Sequence, residues 1–223
     1  MQWHDLAFLH WPIAAEKLRP FIPTGLELQE FDGSAWLGVV PFYMRGVRIR
    51  GIPPLPGTGA FAELNLRTYV TAKGKAGVWF FSLDAASRIA VRAARRTFHL
   101  PYFDARMTVR QTVDEIEYSS VRTELPAGEF EASYRATNPV SAATPGSIDH
   151  WLTERYCLYS ADRRGRIYCG EIHHAPWPLQ LAECEIHKNT LASQLQIELP
   201  PRPPLVHFAK RLDVVAWYLR RVS

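Results

Sequence analysis

Between Phe61 and Val70 the chain reads FAELNLRTYV: odd positions carry Phe61, Glu63, Asn65, Arg67 and Tyr69, and even positions carry Ala62, Leu64, Leu66, Thr68 and Val70. A period of two predicts a β-strand, whose successive side chains leave on opposite faces. The even face is core material. The odd face either meets water, as is common for a half-buried strand, or lines a pocket, and the alternation alone leaves both open. The strand runs into the turn AKGKAG and returns as VWFFSLD, so the two form a hairpin.

The same reading extends along the chain. A short helix near the start stops around Pro20 and Pro23, a strand begins near Leu26, and Asp32-Gly33 turns it into a second strand from Trp36 to Met44. RGVRIRGIPPLPGTGA is too rich in Gly and Pro for regular structure and reads as a long loop. AASRIAVRAARRTF predicts a helix of about three turns with its arginines outward. After Pro101, three strand candidates (FDARMTVRQTV, EIEYSSVRT and EFEASYRA) fit a meander. A short helix capped at Ser147 carries Asp149 near its N-terminus. A hairpin closes around ADRRG, HHAPWPLQLAECEIHKN supplies a long bent strand, and the C-terminal DVVAWYL suits a helix or a strand. Strands dominate and mostly neighbour their sequence partners. The fold class is therefore α+β: a mainly antiparallel sheet curled into a barrel or half-barrel, with a few covering helices, as one domain over 1–223.

Composition narrows the function. Hydrophobic residues are 47% and charged residues 22% of 223, with 7 Trp, 9 Tyr and 11 Phe, which suits a globular, β-rich interior. The net charge of +4 is scattered, and no nucleic-acid-binding signature accompanies it, so a nucleic-acid partner is not expected. No window reaches the ~18 apolar residues of a membrane span, and no signal-peptide pattern opens the chain, so a cytoplasmic protein without a membrane partner is expected. Cys157, Cys169 and Cys184 form no C-x-x-C pair, which argues for reduced thiols. His173 and His174 are adjacent, and on a strand they face opposite ways, so no metal site is expected. No Walker loop, G-x-G-x-x-G, G-x-S-x-G or H-E-x-x-H occurs, and no cofactor is expected. The oligomeric state is open, with a homo-oligomer among the arrangements allowed.

Candidate chemistry concentrates in RTFHLPYFDAR. His99 titrates near neutrality and Tyr102 can donate to a developing oxyanion, which makes both proton-transfer candidates; a structural His and Tyr at a helix-to-strand corner is the competing reading. Glu154 and Arg155 in LTERYCLY are strand neighbours for which local pairing is the common outcome.

ELNLRTYV, GVWFFSLDA, LPY, LTERYCLY and EIHHAPWPLQ together resemble the bacterial YqjF-like proteins, the domain of unknown function 2071, over nearly the whole chain. That family has no established reaction and is related in fold to acetoacetate decarboxylase, whose members enclose a pocket in a cone-like β-barrel. The decarboxylase pattern has a strand Glu, which Glu63 resembles, and later Arg-Glu-x-x-Gly-x-Pro-Lys-Lys, which RRTFHLPYF resembles through Arg95 and Pro101. Tyr102 and Phe103 stand in the two lysine positions. Imine catalysis needs an amine deprotonated near neutral pH. Tyr102 offers none, and Lys17, Lys73, Lys75, Lys188 and Lys210 all fall on expected surface segments, so acetoacetate decarboxylase activity is not expected.

The resemblance thus implies a small-molecule pocket. Glu63 serves as base or orienter and Tyr102 or His99 as acid; Arg67, Asn65, Arg95, Glu154 and His174 are the candidate ligand-binding residues, with Arg67 as an anion clamp. An enzyme acting on a small carbonyl or carboxylate metabolite without imine chemistry is one reading. A non-catalytic ligand-binding or sensing domain is another, and an interaction module using an exposed sheet face a third.

Overall fold

The computed structural model describes residues 1–47, 59–113 and 115–222. In chain order the strands are β1 (Gln2–Ile13), β2 (Glu27–Leu28), β3 (Ala35–Arg45), β4 (Ala60–Ala72), β5 (Lys75–Ala85), β6 (Tyr102–Gln111) and β7 (Ile116–Arg122). They continue with β8 (Glu129–Ala136), β9 (Cys157–Ala161), β10 (Ile167–His173), β11 (Gln180–Asn189), β12 (Leu205–Asp213), β13 (Val215–Ala216) and β14 (Arg220–Arg221). The helices are α1 (Ala15–Leu18), α2 (Arg88–Thr97) and α3 (Ile148–Thr153). No described helix is long and apolar enough to cross a membrane.

The strand pairings return on themselves. From β4 they pass through β5, β6, β7, β8, β11, β12, β1 and β3 back to β4, giving a closed ring. Ring pairs are antiparallel except β5 with β6, which makes the sheet mixed. β5 is forked: Val78 and Trp79 lie parallel to Leu158 and Tyr159 of β9, while Leu83–Ala85 lie parallel to Tyr102–Asp104 of β6.

The ring interior is apolar and draws on every ring strand, with Leu9, Leu37, Leu64, Tyr118, Tyr134 and Phe208 among its members. At one place it holds charge. Arg122 donates from Nε and Nη2 to Asp84 Oδ1 at 3.0 and 2.8 Å, donates to the Pro126 carbonyl at 2.9 Å, and lies 4.0 Å over the Phe103 ring. A second apolar layer lies outside β12, β1, β3 and β4, where Phe8, Val40 and Phe42 pack under Val91 of α2 and under Trp177 and Leu179. Beside it Leu152 of α3 packs on Tyr69.

Local chemistry explains the elements. The Lys73-Gly74 turn has positive φ at both residues (50° and 78°), the geometry of a two-residue hairpin, and it joins β4 to β5. Ser87 and Ser147 cap α2 and α3 by accepting from the amides of Ala90 and His150. Arg88, Arg92, Arg95 and Arg96 of α2 face out.

Three expectations change and one open reading is resolved. Asp32-Gly33 makes its turn, bridging Phe31 to Ser34, but does not join β2 to β3. Both edges of β3 are taken by β1 and β4, so β2 pairs with Thr71 and Val70 of β4 instead. The segment 173–189 is not one strand: β10 ends at His173 and β11 begins at Gln180, because Pro176 and Pro178 lack the amide donors a ladder needs. The C-terminal segment, for which the sequence leaves helix and strand both open, takes the strands β12, β13 and β14. The N-terminal β1, central to the ring, has no counterpart in the elements read from the sequence. The Gly/Pro-rich loop falls largely on residues 48–58, outside the described residues.

Breaking the buried Asp84–Arg122 pair from one side leaves a buried charge uncompensated. Arg122→Met is expected to lower stability by about 3–5 kcal/mol, and the double change Asp84→Leu with Arg122→Met by less than that; urea unfolding of the two variants checks the order.

Candidate functional site

Both faces of β4 are buried. Its even face, Ala62, Leu64 and Leu66, enters the ring interior. Its odd face looks away from that interior into the layer under α2, α3 and residues 174–179: Glu63 is 3% exposed, Asn65 4% and Arg67 9%. The charged face is therefore neither solvated nor turned into the ring's own interior, where a barrel-lumen arrangement would put it; it lies between the ring and its covers.

At one end of this layer Glu63 meets Tyr102. The phenol donates to Glu63 Oε2 at 2.9 Å, and Tyr118 donates to the Glu63 carbonyl at 2.7 Å from the ring side. Burial pushes the Glu63 carboxyl up to about 8, against the Tyr102 hydrogen bond that favours its ionised form, and nearby Asp84 pushes it further up. Burial first, and then the neighbouring carboxylate, hold the Tyr102 phenol well above its ordinary value. The pair thus combines a carboxyl that gains or loses a proton near neutral pH with a phenol that stays a neutral donor.

Tyr102 is placed by its surroundings. Arg95, exposed on α2, donates from Nε to the Tyr102 carbonyl at 2.6 Å and is paired with Glu124, which accepts from the Asp104 amide at 2.9 Å. Arg95 therefore anchors the start of β6 from outside. His99, with φ of +51°, is exposed with its ring 5.2 Å from that of Tyr168, and it makes none of the hydrogen bonds of the Glu63–Tyr102 pair.

Glu154 ties down the cover. It accepts from the Trp177 amide at 2.9 Å and from the Tyr156 hydroxyl. His174 is buried, stacked on Tyr156 at 4.6 Å and edge-on to Trp177 at 5.1 Å, whereas His173 is exposed near Trp217. The His174 Nδ1 lies 2.7 Å from the Ala175 carbonyl and so carries a hydrogen.

At the other end Tyr69 is a hub that the sequence reading passed over. His10 Nε2 lies 2.6 Å from its hydroxyl and Arg67 Nη2 donates to that hydroxyl at 3.4 Å. The Arg67 and Arg155 guanidiniums lie 5.6 and 5.1 Å from its ring centre. Tyr69 shares the odd face of Glu63, so spacing alone could have drawn it in. His10 sits on β1 and carried no such signal. A separate hollow of about 280 Å³, lined by Pro12, Lys17, Glu198 and Pro200 among others, lies against the first turn of α1 and holds none of these residues.

The ring with its outer covers is the acetoacetate decarboxylase-like fold. It matches the enduracididine biosynthesis enzyme MppR in complex with pyruvate (TM-score 0.68, 12% identity, 100% of this chain and 91% of that one). It also matches the acetoacetate decarboxylase of Legionella pneumophila (TM-score 0.64, 14% identity, 100% and 88%) and an acetoacetate decarboxylase-like enzyme from Sphingomonas wittichii (TM-score 0.67, 12% identity, 100% and 91%). Within that fold the chain belongs to the DUF2071 family, described as an uncharacterized conserved protein, whose model matches residues 1–213. It is 48% identical over 221 residues to the uncharacterized protein YqjF of Bacillus subtilis, covering 99% of this chain and 91% of that protein.

The Glu63 proton gives a pH signature. The folded chain keeps it up to about pH 8 while an unfolded carboxyl releases it near 4.5, so across that window the folded state binds more protons. The stabilisation from this group is full below about pH 4.5 and is lost as pH rises through 8, a difference on the order of 5 kcal/mol. Urea unfolding is expected to show the wild type losing most of it between about pH 5.5 and 8.5 and Glu63→Gln losing far less.

Proposed function

We propose that the chain acts on a small carbonyl or carboxylate metabolite by proton transfer, without an imine. The observation that carries this reading is the buried Glu63 carboxyl, held near a neutral pKa and hydrogen-bonded by Tyr102. Such a pair moves a proton at the carbon beside a carbonyl while the phenol stabilises the enolate oxygen. Proton transfer of this kind is commonly worth ~10²–10⁴-fold in rate. The fold shared with MppR, whose complexes include pyruvate, supports a ligand of that size.

An amine-based mechanism has no residue to use. Lys17, Lys73, Lys75, Lys188 and Lys210 are all exposed, and Lys75, Lys188 and Lys210 are ion-paired with Glu171, Glu129 and Asp5. None is the desolvated or cation-flanked amine that imine formation requires. Decarboxylation of acetoacetate through an imine is therefore outside this reading.

A non-catalytic ligand-binding domain is the second reading, favoured by the mutual hydrogen bond of Glu63 and Tyr102, which satisfies each by the other.

Incubating the full chain in deuterium oxide with pyruvate and a panel of small 2-oxo and 3-oxo acids, and following exchange beside the carbonyl by NMR, tests the proposal. Exchange with at least one member is expected, reduced about 100-fold by Glu63→Gln and less by Tyr102→Phe, and no lysine adduct should form on borohydride treatment. Exchange undiminished by both substitutions, or a borohydride-trapped lysine, overturns the mechanism. Calorimetric binding without exchange across the panel selects the second reading.

A further inference from the structure

We propose that Arg67 and Arg155 together bind an oxyanion, the carboxylate or phosphate group of a small ligand, at a site separate from the Glu63–Tyr102 pair. The inference does not rest on the proton-transfer reading. Arg67 is 9% and Arg155 7% exposed, yet neither has a carboxylate partner among the described residues. The contrast lies within the same molecule, where buried Arg122 takes two hydrogen bonds to Asp84. A buried guanidinium without an anion bears its desolvation uncompensated, and an arriving oxyanion removes that cost.

What surrounds the two guanidiniums is neutral and holds them in place. Arg155 donates from Nε to the Trp151 carbonyl and from Nη1 to Gln29 Oε1, each at 2.7 Å, and lies 4.5 Å over the Trp151 ring. Arg67 reaches the Tyr69 hydroxyl and, at 3.5 Å, the Leu152 carbonyl, and lies 5.2 Å from the centre of the Phe8 ring. Arg67 Nε and Arg155 Nη2 remain buried donors without partners. His10 is driven well below its ordinary pKa by burial and then by the Arg67 charge, so it stays neutral. Asp149 lies 3.0 Å from His207 Nε2. The cluster thus keeps one unpartnered donor on each of two guanidiniums set around one aromatic ring, donors that a carboxylate or phosphate oxygen can accept from.

Spacing separates this site from the proton pair. The Cα atoms of Glu63 and Arg67, four residues apart on one strand, are roughly 13 Å apart at about 3.3 Å per residue, and the side chains hold different partners, Tyr102 for Glu63 and Tyr69 with the Leu152 carbonyl for Arg67. The oxyanion is either a second ligand or the far end of a longer one.

Calorimetry on the full chain with sodium malonate and with inorganic phosphate, each against a chloride control of equal ionic strength, tests the site. Saturable binding of at least one at millimolar concentration is expected, and the tighter of the two names the ligand group. Arg67→Gln and Arg155→Gln should each weaken it at least tenfold, while Glu63→Gln leaves it within about twofold, which keeps this outcome apart from failure of the proton-transfer reading. Where a glutamine variant does not fold, a wild-type crystal soaked in selenate replaces it, with an anomalous peak expected within hydrogen-bond reach of Arg67 Nε and Arg155 Nη2. Binding no better than chloride, binding undiminished in folded glutamine variants, or a selenate peak elsewhere overturns the proposal.

Discussion

Everything distinctive in this chain follows from β4 being closed in on both faces. Because the pairings around the ring return to β4, one of its faces must fill the interior, and because α2, α3 and the 174–179 segment cover the outside, the other face has no water to turn to. A strand in that position would ordinarily be apolar on both sides. Here Glu63, Asn65 and Arg67 occupy three successive outer positions, so their hydrogen-bonding and charge requirements have to be met inside the protein.

The molecule handles its buried charges in three ways. Asp84 and Arg122 neutralise each other across the ring interior. Glu63 sheds its charge by keeping its proton, with Tyr102 as partner. Arg67 and Arg155 can do neither, and rest on aromatic faces and carbonyl oxygens. Lysine, the residue whose burial would depress its pKa and make it a nucleophile, is kept entirely at the surface. The fold shared with acetoacetate decarboxylase is thus present here with every lysine at the surface.

Much of the architecture was legible because its signals are local. The Lys73-Gly74 turn, the Ser87 and Ser147 caps and the meander after Pro101 need only neighbours in sequence to be recognised. β1 was not legible because its residues Leu6 to Trp11 are buried whichever way they point, which erases the alternation a half-buried strand shows. The pairing of Glu63 with Tyr102 joins residues 39 apart in sequence and came within reach only through a family pattern. The imidazole chemistry that makes His99 a proton-transfer candidate in the sequence takes no account of its direction, and the corner at Leu100-Pro101 turns it out toward Tyr168. Arg155 was set aside as one of two strand neighbours; it follows α3, where its Nε reaches back four residues to the Trp151 carbonyl.

The fork in β5 bears on how the chain reaches this state. Its first half takes an edge from β9, some eighty residues later in sequence, while its second half takes one from β6 close by. During synthesis the Leu83–Ala85 half acquires its neighbour early, but the Val78-Trp79 half keeps a bare, apolar edge until residues 157–161 have left the ribosome. Long-range parallel pairing of that kind is slow, and an unsatisfied strand edge recruits other chains. The stretch most exposed to misassociation during folding is therefore the one next to the candidate site.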